Sequence, residues 1–446
     1  MKVLAIDSSI TLVLLMLMDH AKKLVRKVIP KSALRGVEQG FRHSRGLFWR
    51  ARYGFPSRNM KVIAVTGTNG KTTTANYINE VLKSIGYKTA IFTTTNIEIA
   101  GKNEPNKTHY TLVKQSLVQG FFSKARKADV DWVVLEVTSH AIDQHRIQGV
   151  PIEMAVLTNL TQEHLDYHGT MEAYADVKAK LFDATYHPKI CVLNADDEWF
   201  EYFKNRAVGQ VLTYGQKNGS DIRFDHVAIS IKGTKCDLAF QKKHYKLSTK
   251  LIGEFNLYNA SAAVATGIGL FAEVDKVLEG VNNLKAVAGR MEQIDEGQDF
   301  GVIVDYSYAY DALTQALKTL KQITSGRVIV VFGATGDRDK GKRPLMGKAA
   351  AKHADVIFLT DDETYTEDPE AIRQAVLGGI REAGGAKKTT IIADREAAIK
   401  AAFKEARKGD VVLLAGMGHE DYRNMGGKAV LWDERQVARK LLKKLS

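Results

Sequence analysis

Cysteine is scarce: Cys191 and Cys236 are the only two in 446 residues, and neither belongs to a CxxC pair. That argues against a zinc ribbon, a disulfide framework and a dithiol redox site. A reducing cytosol suits such a chain. Long apolar runs are missing too. The longest, Ile10 to Met18, reaches about half the length needed to cross a bilayer. Asp7 precedes it and no small-residue cleavage site follows, which argues against a secretory signal. Acidic residues are few at the front, where the first 61 residues hold Asp7, Asp19 and Glu38. The same stretch is crowded with Lys22, Lys23, Arg26, Lys27, Lys31, Arg35, Arg42, Arg45, Arg50, Arg52 and Arg58, and the whole chain carries a formal net charge of +13. Such a surface suits phosphate groups on a substrate, a membrane or nucleic acid, or is simply a solvated helix face. Internal repeats and low-complexity segments are also lacking.

With 45% apolar residues the chain can build a sizeable α/β core, and its length suggests two or three domains. Residues 1–57 read as two helices split by Pro30, ending in a linker at Tyr53–Ser57. Then strand and helix alternate. Strands are expected at Val62–Val65, Thr89–Thr93, Trp132–Val137, Met154–Leu157 and Ile190–Leu193, which argues for a mostly parallel sheet. Residues 209–252 show short alternating patterns and read as an antiparallel patch, with a helix from about Leu257. A second alternating series follows Arg290, with strands at Val302–Val304, Val328–Phe332, Val356–Leu359, Thr390–Ile392 and Val411–Leu414 and a last helix from Glu434. The expected division is 1–57, a basic helical segment; 58–288, a central P-loop ATPase domain; and 289–446, a doubly wound Rossmann-like domain.

The sharpest signal is Thr66-Gly67-Thr68-Asn69-Gly70-Lys71-Thr72-Thr73, between a strand and a helix. Glycines let backbone N–H groups approach phosphate, and the helix N-terminus adds partial positive charge. Lys71 reaches terminal phosphates, and the Thr72 hydroxyl is a Mg²⁺ ligand candidate. Gly67, Thr68, Asn69, Gly70 and Thr73 complete the cradle. Val65 stands where the Walker pattern places its first glycine. Glu136 ends the next strand, at the mouth of an open α/β sheet where ligands bind. A further strand ends in Thr158-Asn159-Leu160, followed by His164, Asp166 and His168. That cluster reads either as metal or phosphate chemistry or as a hydrogen-bonded loop.

GTNGKTTT, then EVTSH, then TNLTQEHLDYHGTMEAYADVKAKLF resembles the Mur ligases, nearest the MurE type, over residues 58 to 446. The resemblance implies an ATP-dependent ligase that joins an amino acid to a muramoyl-peptide carboxylate through an acyl-phosphate. It implies two Mg²⁺ sites on Thr72, Glu136, His164 and Lys178, with Lys178 carrying a CO₂-derived carbamate. Lys71, Lys178, His164 and Glu136 are then the catalytic set. Asn256 and Asn259 in Gly253–Asn259 resemble adenine contacts, Arg290 of GRME a phosphate contact, and Asp305 a residue near the ribose. Thr138, Ser139, His140 and Arg146 are implied on the donor side. On the acceptor side are Arg338 in GDRDKGKRP, Asp362, Glu363, Gly416 and Glu420.

Several positions depart from that family's pattern. Asp362-Glu363-Thr364-Tyr365 replaces the DNPR of diaminopimelate enzymes, so Tyr365 stands where an arginine would pair with a distal carboxylate. Lysine or ornithine suits Glu363 and Glu420 better. Tyr308 replaces a histidine, Tyr310 a proline and Met417 a lysine, and Asn106–Thr111 differs from the usual substrate loop. Residues 1–57 stand in place of the N-terminal UDP-sugar domain, which leaves a UDP-linked or a lipid-linked donor open. The expectation is a cytoplasmic monomer with small-molecule substrates and no nucleic-acid partner, touching the inner face of the membrane through residues 1–57. Two other readings stay open: a folylpolyglutamate- or cyanophycin-synthetase-like ligase, and a non-catalytic nucleotide-binding module.

Overall fold

A computed structural model describes residues 31–446 apart from Lys107, His109, Tyr110, Val113 and Ser446. The helix expected before Pro30 lies outside the described residues, as does that part of the membrane contact expected through residues 1–57. The chain forms two compact units, one of residues 1–223, 239–243 and 258–281, the other of 224–238, 244–257 and 282–446. Among the described residues no helix is long and apolar enough to cross a membrane.

The first unit runs α1 (Lys31–Arg52), β1 (Lys61–Thr66), α2 (Lys71–Ser84), β2 (Thr89–Phe92), β3 (Asn96–Ile99), β4 (Lys102–Pro105), α3 (Gln115–Lys127), β5 (Trp132–Glu136), α4 (Ser139–Asp143), β6 (Ile152–Leu157), α5 (Leu165–His168), α6 (Met171–Ala179), β7 (Ile190–Asn194), α7 (Phe200–Lys204) and β8 (Gln210–Gly215). Its strand order is β8-β7-β6-β1-β5-β2-β3-β4. All pairs from β8 to β2 are parallel, whereas β2–β3 and β3–β4 are antiparallel. β1 is buried from Val62 to Thr66, the near-continuous apolar run of a strand covered on both faces. Central β1 has β5 on one side and β6 on the other, so the crevice at their carboxyl ends is a topological switch point. Gly86 takes a left-handed φ of 96° just past α2 and returns its N–H to the Lys83 carbonyl (3.0 Å), a helix stop written in the sequence.

α1 docks on this unit through its second half. The Arg45 guanidinium donates to Gln115 Oε1 (3.4 Å), and Gln115 Nε2 donates to the Arg42 carbonyl (3.0 Å). Gly46 is buried there, and a Cβ on it would lie 2.9 Å from Gln115 Nε2.

β9 (Ile222–Ser230), β10 (Gly233–Phe240) and β11 (Lys243–Thr249) follow, in the order β9-β10-β11. The patch expected to be antiparallel from residue 209 differs at its start, because β8 pairs with β7 in parallel. β8 is reached through a helix, and a crossover returns the chain in the same direction. Two more helices, α8 (Glu254–Gly269) and α9 (Val274–Asn283), come next.

The second unit continues with β12 (Glu292–Gln293), β13 (Gly301–Asp305), α10 (Tyr310–Ile323), β14 (Val328–Phe332), α11 (Lys342–His353), β15 (Val356–Leu359), α12 (Pro369–Glu382), β16 (Thr389–Ile391), α13 (Arg395–Glu405), β17 (Val411–Ala415), the hairpin β18 (Tyr422–Met425) with β19 (Lys428–Leu431), and α14 (Glu434–Leu442). The sheet order is β12-β13-β17-β14-β15-β16, parallel except for β12. Alternate strand residues go to opposite faces. Val328, Val330 and Leu413 join Leu313, Met346 and Ile380 in one core; Ile329, Val331 and Leu414 join Ile399, Phe403 and Leu441 in another. That is the doubly wound arrangement. The β18–β19 hairpin was not foreseen from the sequence.

The Arg395 guanidinium is fully buried against the fully buried Glu434 carboxylate (2.6 Å) and also donates to the Ala415 carbonyl (2.8 Å). Trp432 Nε1 donates to the same carboxylate (2.7 Å). Removing one partner leaves an uncompensated buried charge. Arg395→Met is expected to cost about 3–5 kcal/mol of unfolding free energy, read by urea denaturation. A loss below about 1 kcal/mol would reject the pair as a structural element.

Candidate active site

The loop after β1 is held by the end of β6. Thr68 N–H donates to the Asn159 carbonyl (2.9 Å), Asn69 N–H to Asn159 Oδ1 (2.9 Å), and both Thr158 Oγ1 (2.6 Å) and Asn159 Nδ2 (3.0 Å) donate to the Asn69 carbonyl. Gly67 has φ 148°, and a Cβ on it would fall 1.9 Å from Thr158 Oγ1. Gly70 has φ 83°, and its Cβ would fall 2.2 Å from Asn259 Oδ1, which accepts from the Thr74 hydroxyl (3.1 Å). Both glycines are therefore steric requirements as well as left-handed ones. The first bond inside α2 is Thr74 N–H to the Gly70 carbonyl (2.8 Å). The N–H groups of the preceding turn have no partner within the helix, the arrangement that receives phosphate. The Lys71 ammonium lies over the loop, donating to the Gly67 (3.1 Å) and Thr68 (2.6 Å) carbonyls.

Three more sequence-predicted residues converge on this loop. The Thr72 hydroxyl donates to Glu136 Oε2 (2.9 Å). Thr94 reinforces that carboxylate with its N–H to Oε2 (2.8 Å) and its hydroxyl to Oε1 (3.0 Å). Lys178 is 1% exposed; its ammonium nitrogen is 2.7 Å from the Gly67 carbonyl and 3.4 Å from Thr66 Oγ1. Burial, and then the Lys71 charge, hold the Lys178 amine well below the usual lysine range. His164 stands in the left-handed region (φ 55°), its ring edge-on to His140 (4.8 Å between centroids) and 6.3 Å from the Tyr174 ring, which lies 4.7 Å from Lys178 Nζ. A hydroxyl beside a carboxylate is a hard oxygen donor set, and it fits Mg²⁺.

Of the residues expected on the donor side, Thr138 caps α4 by accepting from Ala141 N–H (3.2 Å), and Ser139 Oγ pairs with His168 Nε2 (2.9 Å). Arg146 donates to the Leu112 carbonyl (3.3 Å) and to Gln144 Oε1 (2.7 Å).

In the second unit Arg290 stacks over Tyr306 (4.8 Å), and Asp305 accepts from Met291 N–H (2.7 Å) and from the Ser307 hydroxyl. Asp305 thus braces the backbone beside Arg290, and burial raises its pKa. Asn256 is buried, donating to the Ile252 carbonyl (2.9 Å). Arg338 is exposed over the Tyr365 ring (5.3 Å). Gly416 gives Asp362 room, since a Cβ on it would lie 2.5 Å from Asp362 Oδ2. Glu420 accepts from the Tyr306 hydroxyl (3.0 Å), and Glu363 accepts from Asn424 N–H (3.1 Å). Burial, then the Asp362 charge, push the Glu363 carboxyl up to about 7; burial raises Asp362 as well.

Sequence reasoning missed Thr94, Thr158 and Asn159 as working parts of the site. Their signal was available: Thr158 and Asn159 lie just past the carboxyl end of β6, which flanks β1, and Thr94 lies just past the end of β2, one strand further out beyond β5. It also missed Arg343, buried beneath the loop before α11, where it donates to the Thr335 carbonyl (3.2 Å) and pairs with Glu367 (3.0 and 2.8 Å).

A phosphate loop, a strand-end carboxylate and a buried lysine on a parallel sheet, joined to a doubly wound unit, define an ATP-dependent carbon–nitrogen ligase. The Mur ligase middle domain matches residues 65–267, and the Mur ligase glutamate ligase domain matches residues 289–418. The chain belongs to the Mur ligase family. It is 42% identical over 411 residues to the UDP-N-acetylmuramoyl-L-alanyl-D-glutamate–2,6-diaminopimelate ligase of Solibacter usitatus, covering 91% of this chain and 82% of that protein. The Aquifex aeolicus protein of the same name is 38% identical over 397 residues, covering 87% and 79%. A solved structure of a ligase of that name superposes with a TM-score of 0.65 at 33% identity, covering 90% of this chain and 83% of the other. Mycobacterium tuberculosis folylpolyglutamate synthase shares the fold, with a TM-score of 0.69 at 19% identity, over 90% and 94%.

The folded Glu363 value of about 7 exceeds the ordinary 4.5, so between these two pH values the folded chain holds a proton that the unfolded chain releases. Stability therefore falls as pH rises through that window. Glu363→Gln is expected to flatten the decline, followed as melting temperature against pH. An unchanged slope in the variant would reject this placement of the carboxyl.

Proposed function

We propose that this ligase joins a diamino acid to the carboxylate of a muramoyl-peptide donor, in the making of a cell-wall precursor. The convergence of Thr72, Glu136 and Lys178 on one phosphate loop carries this reading. Lys71 and the first-turn N–H groups of α2 hold the triphosphate. A donor carboxylate oxygen attacks the γ-phosphorus, and the bond to ADP breaks. The acceptor amine then attacks the acyl carbon, a C–N bond forms, and phosphate leaves while the amine gives up a proton. Thr72 and Glu136, with His164, would hold paired Mg²⁺ ions, which supply charge neutralisation on the transferring phosphoryl group.

Lys178 is suited to carbamate formation. A buried amine with a depressed pKa is neutral for a larger fraction of the time. Its lone pair can add to the carbon of CO₂, forming an N–C bond and losing one N–H proton to solvent. The product is an anion where a cation stood, next to the phosphate loop. Lys178→Ala is expected to lose activity by about 100-fold or more and to recover part of it with formate or acetate. Full activity in the variant, measured as ADP release, would reject the carbamate.

The relatives' names favour 2,6-diaminopimelate as acceptor. The acceptor segment of this chain favours lysine or ornithine. Asp362, Glu363 and Glu420 are acids suited to an ammonium group, and Tyr365 offers no charge to a second carboxylate. Losing a buried arginine–carboxylate pair costs about 2–5 kcal/mol. A panel of L-lysine, L-ornithine and meso-diaminopimelate, read by amine-dependent ADP release, is expected to rank the first two higher. Faster turnover with diaminopimelate would overturn this preference.

A further inference from the structure

The docked half of α1 brings cations to one place. Arg42, His43 and Arg45 project from it. Arg42 approaches Asp143 (3.8 Å), the His43 ring lies 6.2 Å from the His145 ring, and His43 Nδ1 pairs with Gln148 Nε2 (2.6 Å). Arg50 lies over Gly149, where a Cβ would meet its guanidinium carbon at 2.1 Å. The partner surface is the loop that carries Arg146. Burial first, then the charges of Arg42 and Arg45, lower the pKa of Arg146. The acid facing the cluster is Asp143, which also accepts from the Tyr167 hydroxyl (2.6 Å).

This cluster connects to the phosphate site. Arg146 holds the carbonyl of Leu112, a fully buried residue with φ 51°. Its neighbour Thr111 shares a hydroxyl–hydroxyl bond with Thr94, which binds Glu136 (3.0 Å). One continuous path thus runs from the arginines to the Thr72–Glu136 pair. Like charges gathered on two elements weaken the folded state, and an anionic ligand offsets that. Guanidinium forks match phosphate oxygens bidentately.

We propose that Arg42 and Arg45 of α1, with Arg146, form the subsite for a diphosphate ester on the donor. The inference rests on the ligase reading for the identity of the donor, but not for the anion chemistry. The diphosphate can come from a nucleotide or from a lipid carrier.

The test uses the full chain and its Arg42→Ala, Arg45→Ala double variant. Two probes, UDP in buffer and farnesyl diphosphate in detergent, are titrated by calorimetry. The wild type is expected to bind one of them, naming the source, and the variant to bind it at least about tenfold more weakly. Equal affinity in a variant with wild-type melting, or no binding of either probe by the wild type, would overturn the subsite. If the alanine variant does not fold, Arg42→Gln with Arg45→Gln carries the same test, because amides keep the stems and donors without the charge. ADP release with a muramoyl-dipeptide separates the two readings. Turnover whose KM does not depend on the donor's diphosphate sinks the subsite and leaves the ligase. Arginine-dependent diphosphate binding without turnover on any muramoyl donor sinks the ligase and leaves the subsite.

Discussion

The hydrogen bond from the Thr72 hydroxyl to Glu136 joins the first turn of α2 to the end of β5. Everything chemical in the first unit is arranged around that contact. Parallel strands place their carboxyl ends at one edge, so β1 delivers the loop, β5 the carboxylate and β6 the Thr158–Asn159 clamp. A loop built on glycines is not stiffened by its own side chains. Its rigidity comes from neighbours that bind its carbonyls, and its glycines leave room for those neighbours.

The two units handle buried charge differently. In the second, buried Arg423 donates to the Asp361 and Asp362 carbonyls, while Arg395 and Arg343 are buried on carboxylates, Glu434 and Glu367. Such pairs give a unique geometry at little net gain in stability. In the first, Lys178 is buried on a carbonyl and a hydroxyl, with its amine weakened as a base. The first arrangement keeps a shape, whereas the second keeps an amine neutral for a larger fraction of the time.

Much of the scaffold was legible because its signals are local. Apolar runs at Val328–Phe332, Val356–Leu359 and Val411–Leu414 are long enough and β-branched enough to name their strands, and Gly86 marks a helix end. Other pieces were missed. The β18–β19 hairpin has short, weakly alternating strands, although its Gly426-Gly427 turn, left-handed at both residues, was a local signal; β8 was misread because its direction is set by the strand it joins. Of the site, the phosphate loop was legible because its chemistry is contiguous: glycines, a lysine and a hydroxyl within one turn.

The sequence by itself determined the alternation of strands and helices, the two sheets they build and the glycine-rich loop after β1, since period and turn chemistry act over a few residues. Only the tertiary structure decided that Lys178 is a buried, weakened base, that Thr94 holds Glu136 and that Asn159 holds the loop. It alone decided that Arg42 and Arg45 meet Arg146. Burial and the proximity of charges belong to residues far apart in the chain, and no local pattern encodes a distance between them.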